Sequence, residues 1–340
     1  MAQKTKANPV IGIIGGKGRM GKLFADFFIE RGLKVLISDL KTKLKPEELA
    51  QKSDITIISV PIDRTVGMIE RVSPHIKEGG AIMDFTSVKS HSVKAMLKAR
   101  VEVLAVHPMF GNSNPIPGQT IILCPTKRSG KWSAWIEHFF LENQVKILKM
   151  TVKEHDKTMS LAQGLIHFAD ISFADAVRRN KLKPKQLLKF TSKASEMKLL
   201  LAARLIAQDP NLYGNIQIQN PKNLQALRAY KKSVDDLVKI VEKKDLKAFC
   251  KYFERIAKCF GDYSAESYED SSVLIDQLIK LKNSDSKRTR SLKPKKKDLA
   301  VLGPANTFSD LAASIYLEKT GSTLNKYFTS SIDEVFDLVK

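Results

Sequence analysis

Cysteine is scarce in this chain: Cys124, Cys250 and Cys259 are the only three in 340 residues. The number is odd and the spacing fits no metal-ligand pattern. This excludes a disulfide framework and a cysteine-built zinc site, and it points to a reducing compartment. Long apolar runs are missing as well. No stretch approaches the roughly 18 consecutive apolar residues of a membrane helix. The basic start, MAQKTKANPV, enters a strand-like segment without the apolar centre of a signal peptide. The expectation is a cytoplasmic protein with no membrane partner. Acidic residues are few beside basic ones, 36 against 57, for a formal net charge of +21. Such a charge invites a nucleic-acid reading. The lysines, however, are spread along the whole chain and no aromatic-basic module gathers them. A solvated basic surface that favours small anionic ligands is expected, with no nucleic-acid partner.

What is present is globular: 43% hydrophobic and 27% charged residues, at a length suited to two domains. Residues 9–150 alternate short apolar runs with helix-period segments. Candidate strands are Val10–Ile14, Lys34–Ser38, Ile55–Val60, Ala81–Phe85, Val101–Val106, Thr120–Cys124 and Val145–Leu148, with helices such as Lys22–Glu30 and Ser90–Ala99 between them. This alternation predicts an α/β domain with a mostly parallel sheet covered on both faces, spanning 1–150. At Thr151 the pattern changes. Thr151 and Glu154 fit a capping box, and from there to Leu281 only amphipathic helical segments follow, broken near Pro184, Pro210 and Pro221. A second, all-α domain is expected over 151–281, a basic linker over 282–298, and a small third segment over 299–340.

The first strand runs into Gly15-Gly16-Lys17-Gly18-Arg19-Met20-Gly21, which contains G-x-G-x-x-G as Gly16, Gly18 and Gly21. In that pattern the first glycine makes a tight turn, the second lets the backbone approach a pyrophosphate, and the third lets the helix pack closely on the sheet. The amides of the following helix, from Arg19 and Met20 onward, then face the phosphates. Asp39 ends the second strand 18 residues after Gly21, where a ribose diol needs a carboxylate acceptor. It favours NAD over NADP, because a carboxylate repels a 2′-phosphate; nearby Lys41 and Lys43 keep NADP open. Ser59-Val60-Pro61 ends the third strand and Asp84-Phe85-Thr86-Ser87-Val88-Lys89 the fourth. A fifth strand, VEVLAV, stops at His107. These ends should share the carboxyl edge of the sheet, where open α/β folds bind ligands.

On these residues the sequence resembles the prephenate dehydrogenase family. The matching segments are GGKGRMG at 15–21, SVP at 59–61, TSVK at 86–89, HPMFG at 107–111, EHDKTMSLAQGLIHF at 154–168, ARLIAQDPNLYGNI at 203–216 and FGDYS at 260–264. The resemblance covers about residues 9–281. It implies a Rossmann-like NAD-binding domain followed by an all-α dimerisation domain, a homodimer, and oxidative decarboxylation of prephenate in tyrosine biosynthesis. Prephenate is a cyclohexadiene with a ring hydroxyl, a ring carboxylate and a pyruvyl side chain. Removing hydride from the hydroxyl-bearing carbon requires a base for the hydroxyl proton, and an imidazole with an ordinary pKa near 6.5 suits that task. The resemblance makes His107 that base and Ser87 a catalytic hydroxyl beside it. It assigns Arg204, His167 and Lys89 to substrate binding. His155 reads as structural, near a helix start. Two departures stand out: Asn112 follows HPMFG where relatives often have proline, and Glu196 stands where some carry arginine.

Residues 299–340 resemble the opening strand–helix–strand of prephenate dehydratase, through Leu302-Gly303-Pro304 with Asn306, Thr307 and Phe308, and Ser331 to Phe336. They lack that family's later motifs, so no dehydratase activity is expected of them. Two alternatives to prephenate dehydrogenase remain. One is arogenate dehydrogenase, which differs in a single amino group on the substrate. The other is a noncatalytic dinucleotide-binding sensor, against which the His107, Ser87 and Arg204 set argues.

Overall fold

The computed structural model describes residues 8–111, 115–288, 299–303, 308–320 and 324–329. They form two compact units, Met1–Gly261 and Asp262–Lys340. The first unit opens with seven strands: β1 (Val10–Ile14), β2 (Lys34–Ser38), β3 (Ile55–Ile58), β4 (Ala81–Asp84), β5 (Glu102–Pro108), β6 (Thr120–Cys124) and β7 (Lys146–Lys149). They make one sheet in the order β2-β1-β3-β4-β5-β6-β7. The first five strands are mutually parallel, β6 runs antiparallel to β5, and β7 is parallel to β6. Strand order reverses at β1, with β2 on one side and β3 on the other, and this is where such sheets open a ligand crevice.

Helices α1 (Arg19–Ile29), α2 (Pro46–Lys52), α3 (Ile62–Val72), α4 (Lys89–Met96) and α5 (Lys131–Glu142) cover the sheet. Buried strands of a parallel sheet read as unbroken apolar runs because both faces are covered, and β3 and β4 are buried at every position. On one face Phe24, Phe27 and Phe28 of α1 meet Phe139 and Phe140 of α5. On the other, Leu49, Ile69, Val72 and Met96 pack over Ile58, Ile82 and Val103.

The helical part begins at Thr151. Its side chain accepts from the Glu154 N–H and the Glu154 carboxylate accepts from the Thr151 N–H, so the expected capping box forms. Helix α6 (Val152–Met159) passes through a π turn at Ser160–Leu165 into α7 (Ile166–Arg179). Then come α8 (Pro184–Leu187), α9 (Lys193–Ile206), α10 (Pro210–Gln219), α11 (Asn223–Glu242) and α12 (Leu246–Phe260). Pro184 and Pro210 each open a helix, where the missing N–H costs nothing.

In the second unit α13 spans Tyr263–Arg288, so residues 282–288, expected in the linker, continue a helix instead. Composition alone does not separate a polar helix from a linker. Residues 289–298 lie outside the described residues. Beyond them β8 (Leu299–Leu302), α14 (Phe308–Thr320) and β9 (Lys326–Thr329) form a strand–helix–strand with β8 and β9 parallel. Asn306, Thr307 and Ser331 to Phe336 are outside the described residues, as is Asn112.

Candidate active site

The chain turns out of β1 at Gly15, whose φ of +83° belongs to the left-handed region that favours glycine. A Cβ there would lie 2.3 Å from the Ser59 carbonyl oxygen. The tight-turn role expected of Gly16 therefore falls to Gly15, and Gly16 serves the fit against Ile37. Gly21 lets α1 press on the turn, since a Cβ would stand 2.2 Å from the Gly15 oxygen. Gly18 occupies the N-cap of α1, with no side-chain cap and no acid in the first turn, where Arg19 and Met20 sit. The helix start is thus left to an outside anion. Asp39 faces the same turn: its carboxylate accepts from the Lys17 N–H at 2.9 Å and the Leu40 N–H at 2.7 Å. Ser59, Val60 and Pro61 continue from β3 beside it, with the Ser59 N–H donating to Ile14. These residues fit a dinucleotide: a backbone cradle with no room for side chains, an uncapped helix start, and a carboxylate at its rim.

Two strands along the sheet edge, β5 extends through His107 to Pro108, so the histidine lies inside the strand, paired in register with Ile122 of β6. Its ring is buried, at 2% exposure. The His107 Nδ1 lies 2.9 Å from Nε2 of His155, and the His155 Nδ1 lies 2.8 Å from Oδ1 of Asp156. Asp156 is held by α4, whose first amides at Lys89 and Ser90 donate to its two oxygens, each at 2.9 Å. Burial alone would raise the Asp156 carboxyl. The hydrogen bonds from His155, Lys89 and Ser90 outweigh it and bring the group down to about 2. Burial takes the His107 imidazole well below its ordinary 6.5, with His155 and Lys89 adding to the effect and Asp156 opposing it. The remaining nitrogen, Nε2, is 3.3 Å from the Gln163 side-chain nitrogen. Neutral at working pH, with Nδ1 engaged and Nε2 only loosely contacted, this ring has the form of a general base.

Lys89 is not where a substrate contact or a solvated lysine would be. Its side chain has 0% exposure and donates to Asp84, itself at 0%, across 2.7 Å. It also donates to the Val106 carbonyl, one residue before His107. The Thr86 hydroxyl completes the group with a short hydrogen bond to Asp84. The substrate-binding role expected of Lys89 is corrected accordingly: its ammonium neutralises a buried carboxylate and pins the β5 end that carries His107. Ser87 is half-buried in the turn between β4 and α4, and no hydrogen bond joins it to His107.

In the helical part, His167 follows Gln163 by one turn, on the same helix face. Its Nδ1 is buried without a hydrogen-bond partner, and burial lowers its pKa. The Tyr213 ring from α10 meets it edge-on at 4.9 Å. Burial raises the Tyr213 hydroxyl, while the charge of Arg204 on α9 and a hydrogen bond with Gln208 act against that rise. Gln163 thus contacts His107, His167 lies one turn further along the helix and packs on Tyr213, and the charge of Arg204 acts on the Tyr213 hydroxyl. Glu196 is buried and accepts from Lys193 at 2.8 Å.

Residues 28–149 match the family model "Prephenate dehydrogenase, nucleotide-binding domain", and residues 151–255 match "Prephenate dehydrogenase, dimerization domain". The chain is 32% identical over 305 residues to a probable arogenate/prephenate dehydrogenase of Methanocaldococcus jannaschii, covering 82% of this chain and 68% of the relative. The chain belongs to the prephenate dehydrogenase family. A T-protein of Haemophilus influenzae is 30% identical over 272 residues, covering 79% and 72% of the two chains. In fold the chain is similar to Aquifex aeolicus prephenate dehydrogenase in complex with hydroxyphenyl propionate and NAD+, at a TM-score of 0.60 and 18% identity over 74% of this chain and 97% of that one.

Membership of this dehydrogenase family puts the glycine turn in perspective. The turn precedes the residues that the nucleotide-binding model matches, so its case rests on its own geometry. Five members of the site were not expected from the sequence: Asp84, His155 in its contact role, Asp156, Gln163 and Tyr213. The EHD run at 154–156, set behind a capping box, carried the available signal for His155 and Asp156. Gln163 is aimed by the π turn, which has no sequence signature. Among the described residues no group of acids, histidines and cysteines could hold a metal ion, and no helix is long and apolar enough to cross a membrane.

Proposed function

We propose that the chain oxidatively decarboxylates prephenate to 4-hydroxyphenylpyruvate, with NAD as the hydride acceptor. The observation that carries this reading is the His107 ring, kept neutral by burial, with one nitrogen engaged and the other left to a long contact. Gly15, Gly16, Gly18 and Gly21 would cradle NAD and Asp39 would accept from its ribose; bound there, the cofactor would supply the acceptor for the hydride on the hydroxyl-bearing carbon. His107 Nε2 takes the hydroxyl proton as that hydride leaves. Loss of carbon dioxide then makes the ring aromatic, which drives the step. Arg204 suits a substrate carboxylate, its guanidinium offering a two-pronged donor. His167 and Tyr213 wall the same side, and Ser87 orients the substrate hydroxyl from the β4 turn. Lys89 acts from behind, by holding the β5 end. Residues 299–340 add no dehydratase activity to this reading.

The helical part supports a homodimer. Helix α12 has no buried residue in the single chain, and Phe249, Phe253, Ile256 and Phe260 are all exposed along it. Such an apolar face is the mark of an interface. Arogenate is the second substrate to try, because the M. jannaschii relative's name covers both compounds.

The test is formation of reduced nicotinamide with each pairing of NAD or NADP with prephenate or arogenate, alongside His107→Asn. Turnover with NAD and prephenate, lost in the variant while NAD binding persists, is the expected result. Folded protein that binds NAD and turns over none of the four pairs would overturn the proposal and leave the sensor reading in its place.

A further inference from the structure

We infer that the proton taken from the substrate comes to rest on His155, with the Asp156 carboxylate as its counter-ion, and that these two positioning residues decide which nitrogen of His107 is the base. The inference rests on the proposed dehydrogenase reading and extends it from the base to the proton's destination.

Asp156 is ionised and can only accept. Its neighbour at 2.8 Å, His155 Nδ1, must therefore carry a hydrogen. A neutral His155 then has a bare Nε2, which accepts from the His107 Nδ1–H across 2.9 Å. That leaves His107 Nε2 bare, facing the Gln163 amide as an acceptor. Each ring's tautomer is set by its neighbour, beginning at Asp156, whose place is fixed by the Lys89 and Ser90 amides.

The same contacts accommodate one more proton. When His107 Nε2 bonds to the substrate's proton, the hydrogen on its Nδ1 passes to His155 Nε2, and His107 is neutral again. His155 becomes an imidazolium whose Nδ1–H still donates to Asp156. The substrate loses one hydride and one proton, and the protein gains one positive charge, on His155. The surroundings favour that location. Lys89 acts on His107 as a nearby positive charge, and its ammonium disfavours a second cation there. Asp84 is already matched by Lys89. Asp156 is the carboxylate in contact with the histidine pair, and it touches His155.

Two measurements test this. Nitrogen-15 NMR of histidine-labelled wild-type protein above neutral pH should show hydrogen on Nδ1 of both His107 and His155, with His107 Nε2 bare. A hydrogen on His107 Nε2 with Nδ1 bare would overturn the assignment, whatever the activity. In steady-state kinetics Asp156→Asn and His155→Gln should each lower kcat by about 100-fold or more, the scale of a misdirected general base, with KM changed by less than about threefold. Removing the counter-ion makes the pair harder to protonate, so the acid limb of the kcat profile in Asp156→Asn should move to lower pH. An equal loss at every pH, with the limb unmoved, would give the two residues a structural role only and refute the inference. Wild-type protein with the expected tautomers but no turnover of any substrate pair would instead sink the proposed reaction, and with it the proton's path.

Discussion

Lys89→Met puts the buried ion pair behind His107 to the test. Both charged groups have 0% exposure and stand 2.7 Å apart. Without the ammonium, Asp84 keeps only the Thr86 hydroxyl on Oδ2, and its Oδ1 already has no hydrogen-bond partner. Breaking a buried pair from one side costs about 3–5 kcal/mol, because the charge left behind is uncompensated. The Val106 carbonyl also loses a donor, worth about 1 kcal/mol more. A loss near 5 kcal/mol corresponds to a drop in melting temperature of roughly 10–20 °C in a domain of this size. The assay is built in. Both tryptophans of the chain, Trp132 and Trp135, lie on α5 and pack on the sheet core, so their fluorescence in urea follows this domain. Adding Asp84→Asn to Lys89→Met removes the stranded charge and should restore the larger part of the loss. The reasoning fails if the single variant stays within about 1 kcal/mol of wild type, or if the double variant is no more stable than the single.

Three further outcomes are expected. Asp39→Asn should weaken NAD and strengthen NADP in binding titrations, since a 2′-phosphate then meets no carboxylate; an unchanged NAD-to-NADP ratio would remove Asp39 from the ribose site. The Asp156 carboxyl is lowered from 3.8 to about 2, so it stabilises the fold above its unfolded pKa, and that contribution fades as pH falls toward 2. Asp156→Asn should therefore cost on the order of 2 kcal/mol at pH 7 and about half that at pH 3, and urea unfolding that showed equal costs at both would contradict this. Phe253→Glu, on the exposed face of α12, should shift a dimer to a monomer in light scattering without unfolding the sheet domain; a wild-type monomer at working concentration would refute the interface.

Much of the fold was legible because its signals are local. The seven apolar runs, the glycine turn and the Thr151–Glu154 box each declare themselves within a few residues, and each is where it was expected to within a residue or two. Even there, Gly15 and Gly16 could not be told apart, because the motif fits neighbouring glycines and only φ and the approach of Ser59 separate them.

The site behaved differently. The motif singled out His107 as the candidate base, and the buried strand that presents it followed from VEVLAV. What His107 can do depends on residues far away in the chain, with His155 48 positions on and Asp156 67 positions from the Lys89 amide it accepts. The sequence by itself determined the layers, the glycine turn and the capped start of the helical part, because strand periodicity, turn geometry and helix capping are decided by near neighbours. Only the tertiary structure decided that Lys89 is a buried counter-ion and that His107, His155 and Asp156 stand in hydrogen-bond contact. Charge pairing and proton position depend on distances of about 3 Å, and those distances arise only when the β4, β5 and α6 ends are brought together.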